Sequence, residues 1–297
     1  MVRGPRWRQS SRGFFVPADA AATPTQRILE AAPLIPSSGA ITGWAAAYAH
    51  GVDALDGLDP EDLRPLKITI CLGRDTGRLN LPGVTYVRDR MADEEIAIVD
   101  DLPFTSPVRA TVDGVRRALS LVEAVVFLDM AAAALGISLD DVAGWAANHP
   151  GVRGQRLIGR ALRLADRASA SPWETRLRLF YLLKACLPRP LVNRPVFDLN
   201  EKFLGIPDLM DPEAGLACEF DGQDHRQRRQ HRNDNVREEG LEEANLVVTR
   251  VDSLDLRSPV PLIERLRAAH TRGLARDRRR DRWTIDPPAW WLRRRVA

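Results

Sequence analysis

Apolar positions recur with different periods in different stretches of the chain, and the period predicts the element. Thr23 to Leu34 and Gly43 to His50 carry Ala and Leu at helical spacing, with Pro36, Ser37, Ser38 and Gly39 between them. Leu66 to Leu72, Gly83 to Arg88 and Ile96 to Val99 alternate or run apolar between Gly and Asp turns, which predicts strands. Residues 1–105 therefore read as a small winged-helix-like α/β region. Ser106 followed by Pro107 opens a helix with proline at its first position. Further helical periods over Val122 to Leu135, Leu139 to Asn148 and Val152 to Ala168 make 106–170 a helical connector.

From Ser171 the pattern becomes mixed. A helix over Ser171 to Cys186 precedes strands over Leu191 to Leu199, Phe203 to Met210 and Leu216 to Asp221. A polar helix from Gln230 to Ala244, a strand from Leu246 to Val251 and a helix from Val260 to His270 complete an α-β-β-β-α-β-α unit over 171–270. Asn245 tolerates the left-handed conformation that stops a helix. The Arg-rich tail, 271–297, with Trp283, Trp290 and Trp291, is expected to be extended or partly ordered.

Composition narrows the class. The 297 residues are 44% hydrophobic and 28% charged, as in soluble globular chains, and the length suits two compact domains. No run approaches the ~18 to 20 apolar residues of a membrane span; the greasiest stretch, Ala124 to Leu135, is broken by Asp129. Arg3, Arg6, Arg8 and Arg12 have no apolar run behind them, so a secretion signal is not expected. Cys71, Cys186 and Cys218 lie far apart without CxxC spacing, which argues against a disulfide framework or zinc knuckle. These features point to the cytoplasm, with no membrane partner.

The formal charge of +3 hides basic ends around an acidic body. Residues 1–18 hold four Arg and no acid, and 271–297 hold nine Arg against three Asp. Such ends suit contact with a polyanion such as DNA. Three Lys beside forty Arg equally fit a genome rich in Arg codons.

Chemistry concentrates between Ile206 and His225. Strand alternation puts Leu216, Cys218 and Phe220 on one face and Ala217, Glu219 and Asp221 on the other. Pro212 to Gly215 is a tight-turn sequence, so Asp211 pairs with Leu216 and Asp208 falls opposite Glu219. Cross-strand partners have Cβ atoms about 4.5 to 5.5 Å apart, where like charges destabilise a sheet. Something positive is expected there. Oxygen donors without Cys favour Mg²⁺ or Mn²⁺, held by Asp208, Glu219 and Asp221, and such an ion suits phosphodiester hydrolysis. The other reading is a solvated acidic sheet edge.

His225, at the strand exit, can act as base, acid or phosphate donor near neutral pH, or be a loop histidine without a role. Arg226, Arg228, Arg229 and Arg232, near His231, suit bidentate phosphate contacts of a nucleic-acid interface, or form a solvated helix start. Asp234 and Arg237, three apart, read as a local ion pair. His50, His149 and His270 read as structural.

The string of Asp208, Glu219, Asp221, Gly222 and His225, with its helix and strand order, resembles the very-short-patch-repair-endonuclease-like branch of the PD-(D/E)XK superfamily. The resemblance covers about 171–270 and implies a restriction-endonuclease-like α-β-β-β-α-β core. It implies metal binding by Asp208 and Glu219 and DNA as substrate. Asp221 stands where many members carry Lys, and His225 is the implied substitute base or phosphate partner. An acidic residue on the first core helix often completes the metal site, which points to Glu174. Ser171 and Glu174 also form a capping box, so cap and ligand both stand as readings.

Thr42 to Ala47, Pro103 to Arg109 and Val112 with Asp113 resemble an AbiEi-type antitoxin-like region, which implies a winged helix and a possible partner protein. The expected activity is that of a metal-dependent DNA endonuclease, with an N-terminal regulatory or DNA-positioning region. The alternatives are a non-catalytic DNA-binding regulator of the toxin-antitoxin type with a degenerate nuclease core, and a structural or partner-binding protein.

Overall fold

The computed structural model describes residues 5–11, 13–74, 82–222 and 239–294. It is a mixed α/β structure whose chain divides into a unit of residues 1–167 and a unit of residues 168–297.

In the first unit, β1 (Trp7–Ser11) and β2 (Phe14–Pro17) form an antiparallel hairpin that is a sheet by itself. The segment expected as a basic arm is thus folded in part, and Arg8 donates to Glu30 of α1 (Pro24–Ala31) at 2.7 Å. A second sheet has the order β5-β4-β3-β7-β6 and mixes parallel and antiparallel pairs. Its strands are β3 (Ala40–Thr42), β4 (Ile68–Cys71), β5 (Val84–Val87), β6 (Ile96–Val99) and β7 (Leu102–Thr105).

Five strands replace the smaller strand set expected, because sequence periodicity does not reveal β3 and β7. The central strand β3 has only three residues between Gly39 and Gly43, too few to show a period, yet all three are buried. The hairpin from β6 to β7 turns at Asp100 and Asp101, with φ of 46° and 61°. Two successive positive φ values give the turn that matches strand twist. Asp-Asp is a weaker signal for that turn than Asn-Gly.

The helices α2 (Trp44–Ala49), α3 (Pro107–Arg117), α4 (Leu121–Leu135), α5 (Leu139–Asn148) and α6 (Gln155–Leu164) belong to the same unit. The segment 106–170, read in sequence as a helical connector, falls up to Arg167 within this unit, and its first helix α3 lies against α2, β3 and β7, with α4, α5 and α6 packed on α3. Gly114 lets α3 meet α4 closely: a Cβ there would lie 2.1 Å from the ring of Phe127. No single helix among the described residues is long and apolar enough to cross a membrane.

In the second unit, α7 (Pro172–Leu183) is followed by strands shorter than their sequence runs. The expected strand Leu191 to Leu199 is two strands, β8 (Leu191–Val192) and β9 (Val196–Asp198). The expected strand Phe203 to Met210 is likewise β10 (Phe203–Gly205) and β11 (Leu209–Asp211). Pro195 and Pro207 sit at the breaks, where a missing N–H interrupts a ladder, and Asn193 adds a φ of 48°.

The halves go to different sheets. One sheet runs β13-β12-β11-β8, with β12 (Leu216–Phe220) and β13 (Val247–Val251); the other runs β10-β9-β14, with β14 (Trp283–Thr284). Helix α8 is described over 239–243, and α9 (Ser253–Arg257) and α10 (Pro259–Leu274) follow β13. Asn245 ends α8 with a φ of 78°, as its residue type led us to expect.

Leu216 and Cys218 pack with Leu177, Tyr181, Leu262 and Leu266 of α7 and α10, whereas Ala217 packs with Met210, Leu241 and Leu246. The alternation expected along β12 is therefore present, with a core on each face.

The tail is not extended. Trp283 and Thr284 pair with β9, and α11 (Ala289–Arg294) follows. Trp291 stacks on Phe203, centroids 5.0 Å apart, and meets the edge of Phe197 at 5.3 Å. Arg276 donates to Leu246 O at 2.8 Å and Arg278 to Pro212 O at 2.9 Å. Burial of aromatic area outweighs the charge that suggested a solvated arm.

Candidate functional site

The turn after β11 fixes the site. Asp211 pairs with Leu216, Met210 with Ala217 and Leu209 with Cys218. Gly215, at a φ of 60°, closes the turn. Asp211 itself is turned to the buried side. Its Oδ1 accepts from the amides of Glu213 and Ala214 at 3.1 Å each, and its Oδ2 from Tyr181 Oη at 2.9 Å, with His270 Nε2 3.4 Å away. Asp211 is a turn anchor that sequence reading used only to mark register. Burial, then the charge of Asp211, pushes the Tyr181 hydroxyl well above its ordinary value.

The observed register ends at Leu209 with Cys218, and Asp208 is the next residue outward, in a bend beside Glu219. The backbone supports that placement. Asp208 Oδ2 accepts from the Phe220 amide at 2.6 Å, and its carbonyl accepts from the Asn193 amide at 3.1 Å. Asp208 is half-buried and Glu219 is buried. Burial, then the charges of Asp211, Asp208 and Glu219, push the Cys218 thiol far up. At an effective dielectric of about 20, two carboxylates about 5 Å apart repel by roughly 3 kcal/mol before water relaxes them.

Arg250 is the nearby cation that sequence reading missed. On the parallel strand β13 it stands in register beside Glu219, and partners in register share a sheet face. The signal was present, since Leu246 to Val251 was read as a strand, but a parallel register cannot be counted from a turn.

Glu174 lies one residue from this pair. Its Oε2 accepts from the Ala170 amide and from Asn193 Nδ2, each at 2.7 Å, while Ser171 Oγ accepts from the Glu174 amide at 3.2 Å. The cap forms, with the carboxylate reaching Ala170 rather than Ser171. Asn193 joins Glu174 through its side chain and Asp208 through its amide, so the first core helix and the acidic pair meet through one residue. Trp173 stacks on Phe220, centroids 5.2 Å apart, and Arg176 covers the Trp173 ring at 4.7 Å.

Asp221 is exposed at the end of β12, its amide held by Val251 O at 2.8 Å. His225, Arg226, Arg228, Arg229, Arg232, His231, Asp234 and Arg237 lie outside the described residues. The donor chemistry of Asp208 and Glu219, two hard carboxylates on adjacent strands, fits Mg²⁺ or Mn²⁺. Among the described residues, no group of three or more His, Cys, Asp and Glu side chains is placed to hold a metal ion. The described part of the candidate site thus holds two carboxylates, with an arginine in register beside one of them.

No family model, curated protein or solved structure matches the chain.

Proposed function

We propose that the second unit is a restriction-endonuclease-like domain of the PD-(D/E)XK type and that the protein is a metal-dependent DNA endonuclease. The observation that carries this reading is that Asp208 accepts from the Phe220 amide, the residue after Glu219, with Glu174 tied to Asp208 through Asn193. Two carboxylates drawn close together by adjacent strands are the hard oxygen donors that a divalent cation takes. An antiparallel β11 and β12 followed by a parallel β13, with α7 and α10 on one face, supports the finer fold assignment.

Asp208 and Glu219 would hold the ion, with Asp221 at the mouth. When bound, Mg²⁺ or Mn²⁺ would stabilise charge on a phosphoryl oxygen and lower the pKa of water. The chain's own contribution is positional: the Phe220 amide fixes Asp208, and Asn193 fixes Glu174. We assign His225 to proton transfer and Arg226, Arg228, Arg229 and Arg232 to phosphate contacts.

One observation favours a second reading. Arg250 beside Glu219 supplies in a side chain part of the positive charge that a metal would bring. That arrangement suits a regulator of the toxin-antitoxin type which binds DNA without cutting it. Incubation of the purified protein with plasmid DNA and Mg²⁺ or Mn²⁺, beside Glu219→Ala, separates the two. Ion-dependent nicking lost in Glu219→Ala supports the endonuclease. Salt-sensitive DNA binding without cleavage under either ion replaces it with the regulator.

A further inference from the structure

The five-stranded sheet of the first unit ends at β6, which pairs with β7 on one side and with no described strand on the other. The hairpin fixes which of its backbone groups are open. A two-residue loop, Asp100 and Asp101, makes Val99 and Leu102 a hydrogen-bonded pair, and such pairs alternate along an antiparallel ladder. Ala97 with Phe104 is the next, and the Ser106 amide, which donates to Glu95 O at 2.7 Å, continues the series. Ile96 and Ile98 therefore turn their amides and carbonyls outward. Opposite Ile98 stands Pro103, which has no N–H to give. The Ile96 amide is taken up by Asp93 O. The Ile98 amide and carbonyl and the Ile96 carbonyl have no partner among the described residues.

Edge strands are ordinarily blunted by a charge or a proline on the strand itself. β6 carries neither: its residues are Ile96, Ala97, Ile98 and Val99, and Ile98 is 67% exposed. The charges sit beyond its two ends instead. Asp93 and Glu94 precede it, Asp100 and Asp101 follow it, and all four are exposed. Their neighbours Asp89 and Glu95 are paired with Arg116 and Arg109, whereas none of these four forms an ion pair among the described residues. Between Arg90 and Arg109 the chain carries no Lys, Arg or His.

This placement selects the occupant. A second copy of β6, parallel or antiparallel, would set acid against acid at both ends, so self-pairing is opposed. A polynucleotide is repelled in the same way. An extended segment with β-branched residues at its centre and Lys or Arg at both ends completes the ladder and answers the charge. Four strand residues rise about 13 Å, so the two basic ends of such a segment stand about four residues apart.

We propose that β6 is a docking edge for a basic, extended segment of a partner protein, added as an outer strand through Ile98 and held by Asp93 with Glu94 at one end and Asp100 with Asp101 at the other. Nothing in this edge depends on the carboxylate site of the second unit.

The test titrates a labelled peptide, Val-Thr-Val flanked by two Lys at each end, into the full chain by fluorescence anisotropy at low salt, and follows amide exchange by NMR. Binding should slow exchange of the Ile98 amide and weaken as salt rises. Neutralising one end, by Asp93→Asn with Glu94→Gln or by Asp100→Asn with Asp101→Asn, should weaken binding by about 3- to 10-fold, as for two exposed ion pairs. The second change keeps the turn, because Asn holds the positive φ of 46° and 61° as Asp does. N-methylation of the three central peptide residues removes the ladder donors, keeps the charge and leaves the protein untouched. It should weaken binding by at least about 10-fold.

Absence of binding at low salt would overturn the proposal. So would equal binding of the N-methylated peptide, an Ile98 amide whose exchange stays unchanged, or undiminished affinity in both neutralised variants when circular dichroism shows them folded. A dimer by light scattering, with the Ile98 amide protected before any peptide is added, would reassign the edge to a second copy.

Discussion

Asp113 in the first unit and the pair of Asp208 and Glu219 in the second show two ways of placing carboxylates in a fold. Asp113 is fully buried, and both of its oxygens meet donors. Oδ2 accepts from Thr42 Oγ1 at 2.7 Å and Arg109 Nε at 3.1 Å, and Oδ1 from Arg116 Nε at 2.6 Å. The network extends outward in the same balanced manner. Arg109 also donates to Glu95 at 2.8 Å, Trp145 Nε1 donates to Glu95 at 2.7 Å, and Arg116 and Arg117 donate to Asp89. Thr105 of β7 donates to Thr42 of β3, so helix and sheet are joined through the acid.

In the second unit two acids, Asp208 and Glu219, come together beside a strand end; Arg250 stands in register next to Glu219, and the Phe220 amide donates to Asp208. Partners supplied locally, at i−4 and i+3 on α3, make a buried charge architectural. On the proposed reading, like charges brought together by a turn serve a site, because the fold alone would select against them.

Removing a balanced acid should have the largest effect. Asp113→Ala leaves Arg109 and Arg116 without their shared partner, and breaking such a buried pair costs about 3 to 5 kcal/mol. Urea unfolding should show it, and a loss below about 1 kcal/mol would break the contrast between the two units. Glu174 tests the boundary between the classes. Glu174→Ala removes the acceptor for the Ala170 amide and Asn193, for about 1 to 3 kcal/mol, while Glu174→Gln keeps an acceptor and should cost less. If Glu174→Gln is stable yet loses ion-dependent cleavage, Glu174 belongs to the metal site as well as to the cap.

Acid should act on the first unit's network in a defined window. Burial pushes Asp89 up, but Arg116 and Arg117 outweigh it and hold it below its ordinary value. Burial likewise pushes Glu95 up, and Trp145, the Ala92 amide and Arg109 bring it below. Depressed carboxylates contribute stability that is complete above their unfolded values, near 3.8 for Asp and 4.5 for Glu, and lost as pH falls through the folded ones. The melting temperature should therefore hold down to about pH 5 and fall below about pH 4. A fall beginning near pH 6 would point to a different group. The smallest effect belongs to Arg8→Gln, which removes a half-exposed ion pair with Glu30 and should cost under about 1 kcal/mol.

The acidic pair was legible because everything that sets it is local. A turn of Pro212 to Gly215 and strict alternation lead outward to Asp208 and Glu219, and the observed register agrees from Asp211 with Leu216 as far as Leu209 with Cys218. What sequence did not reveal depends on distant contacts. Nothing in a three-residue run such as Ala40 to Thr42 announces a central strand. Pro195 and Pro207 were visible, but that each divides a strand between two sheets depends on where β14 returns. The tail read as solvated because charge dominates its composition, whereas Phe197 and Phe203 supply a surface for its tryptophans. Arg250 was hidden for the same reason, since parallel register comes from packing.

The most direct test of the carboxylate pair compares thermal melts of wild type and Asp208→Asn, in EDTA and with Mg²⁺ or Mn²⁺. Asparagine keeps an acceptor for the Phe220 amide and removes the charge beside Glu219. In EDTA Asp208→Asn should melt at or above wild type, by roughly 2 to 4 °C for each kcal/mol of repulsion relieved. Either ion should raise the wild-type melting temperature by mass action and leave Asp208→Asn nearly unmoved. A variant that melts lower than wild type in EDTA, together with a wild type indifferent to both ions, would contradict the account: the acids would then be part of the architecture, and the second unit would have no metal site at this place.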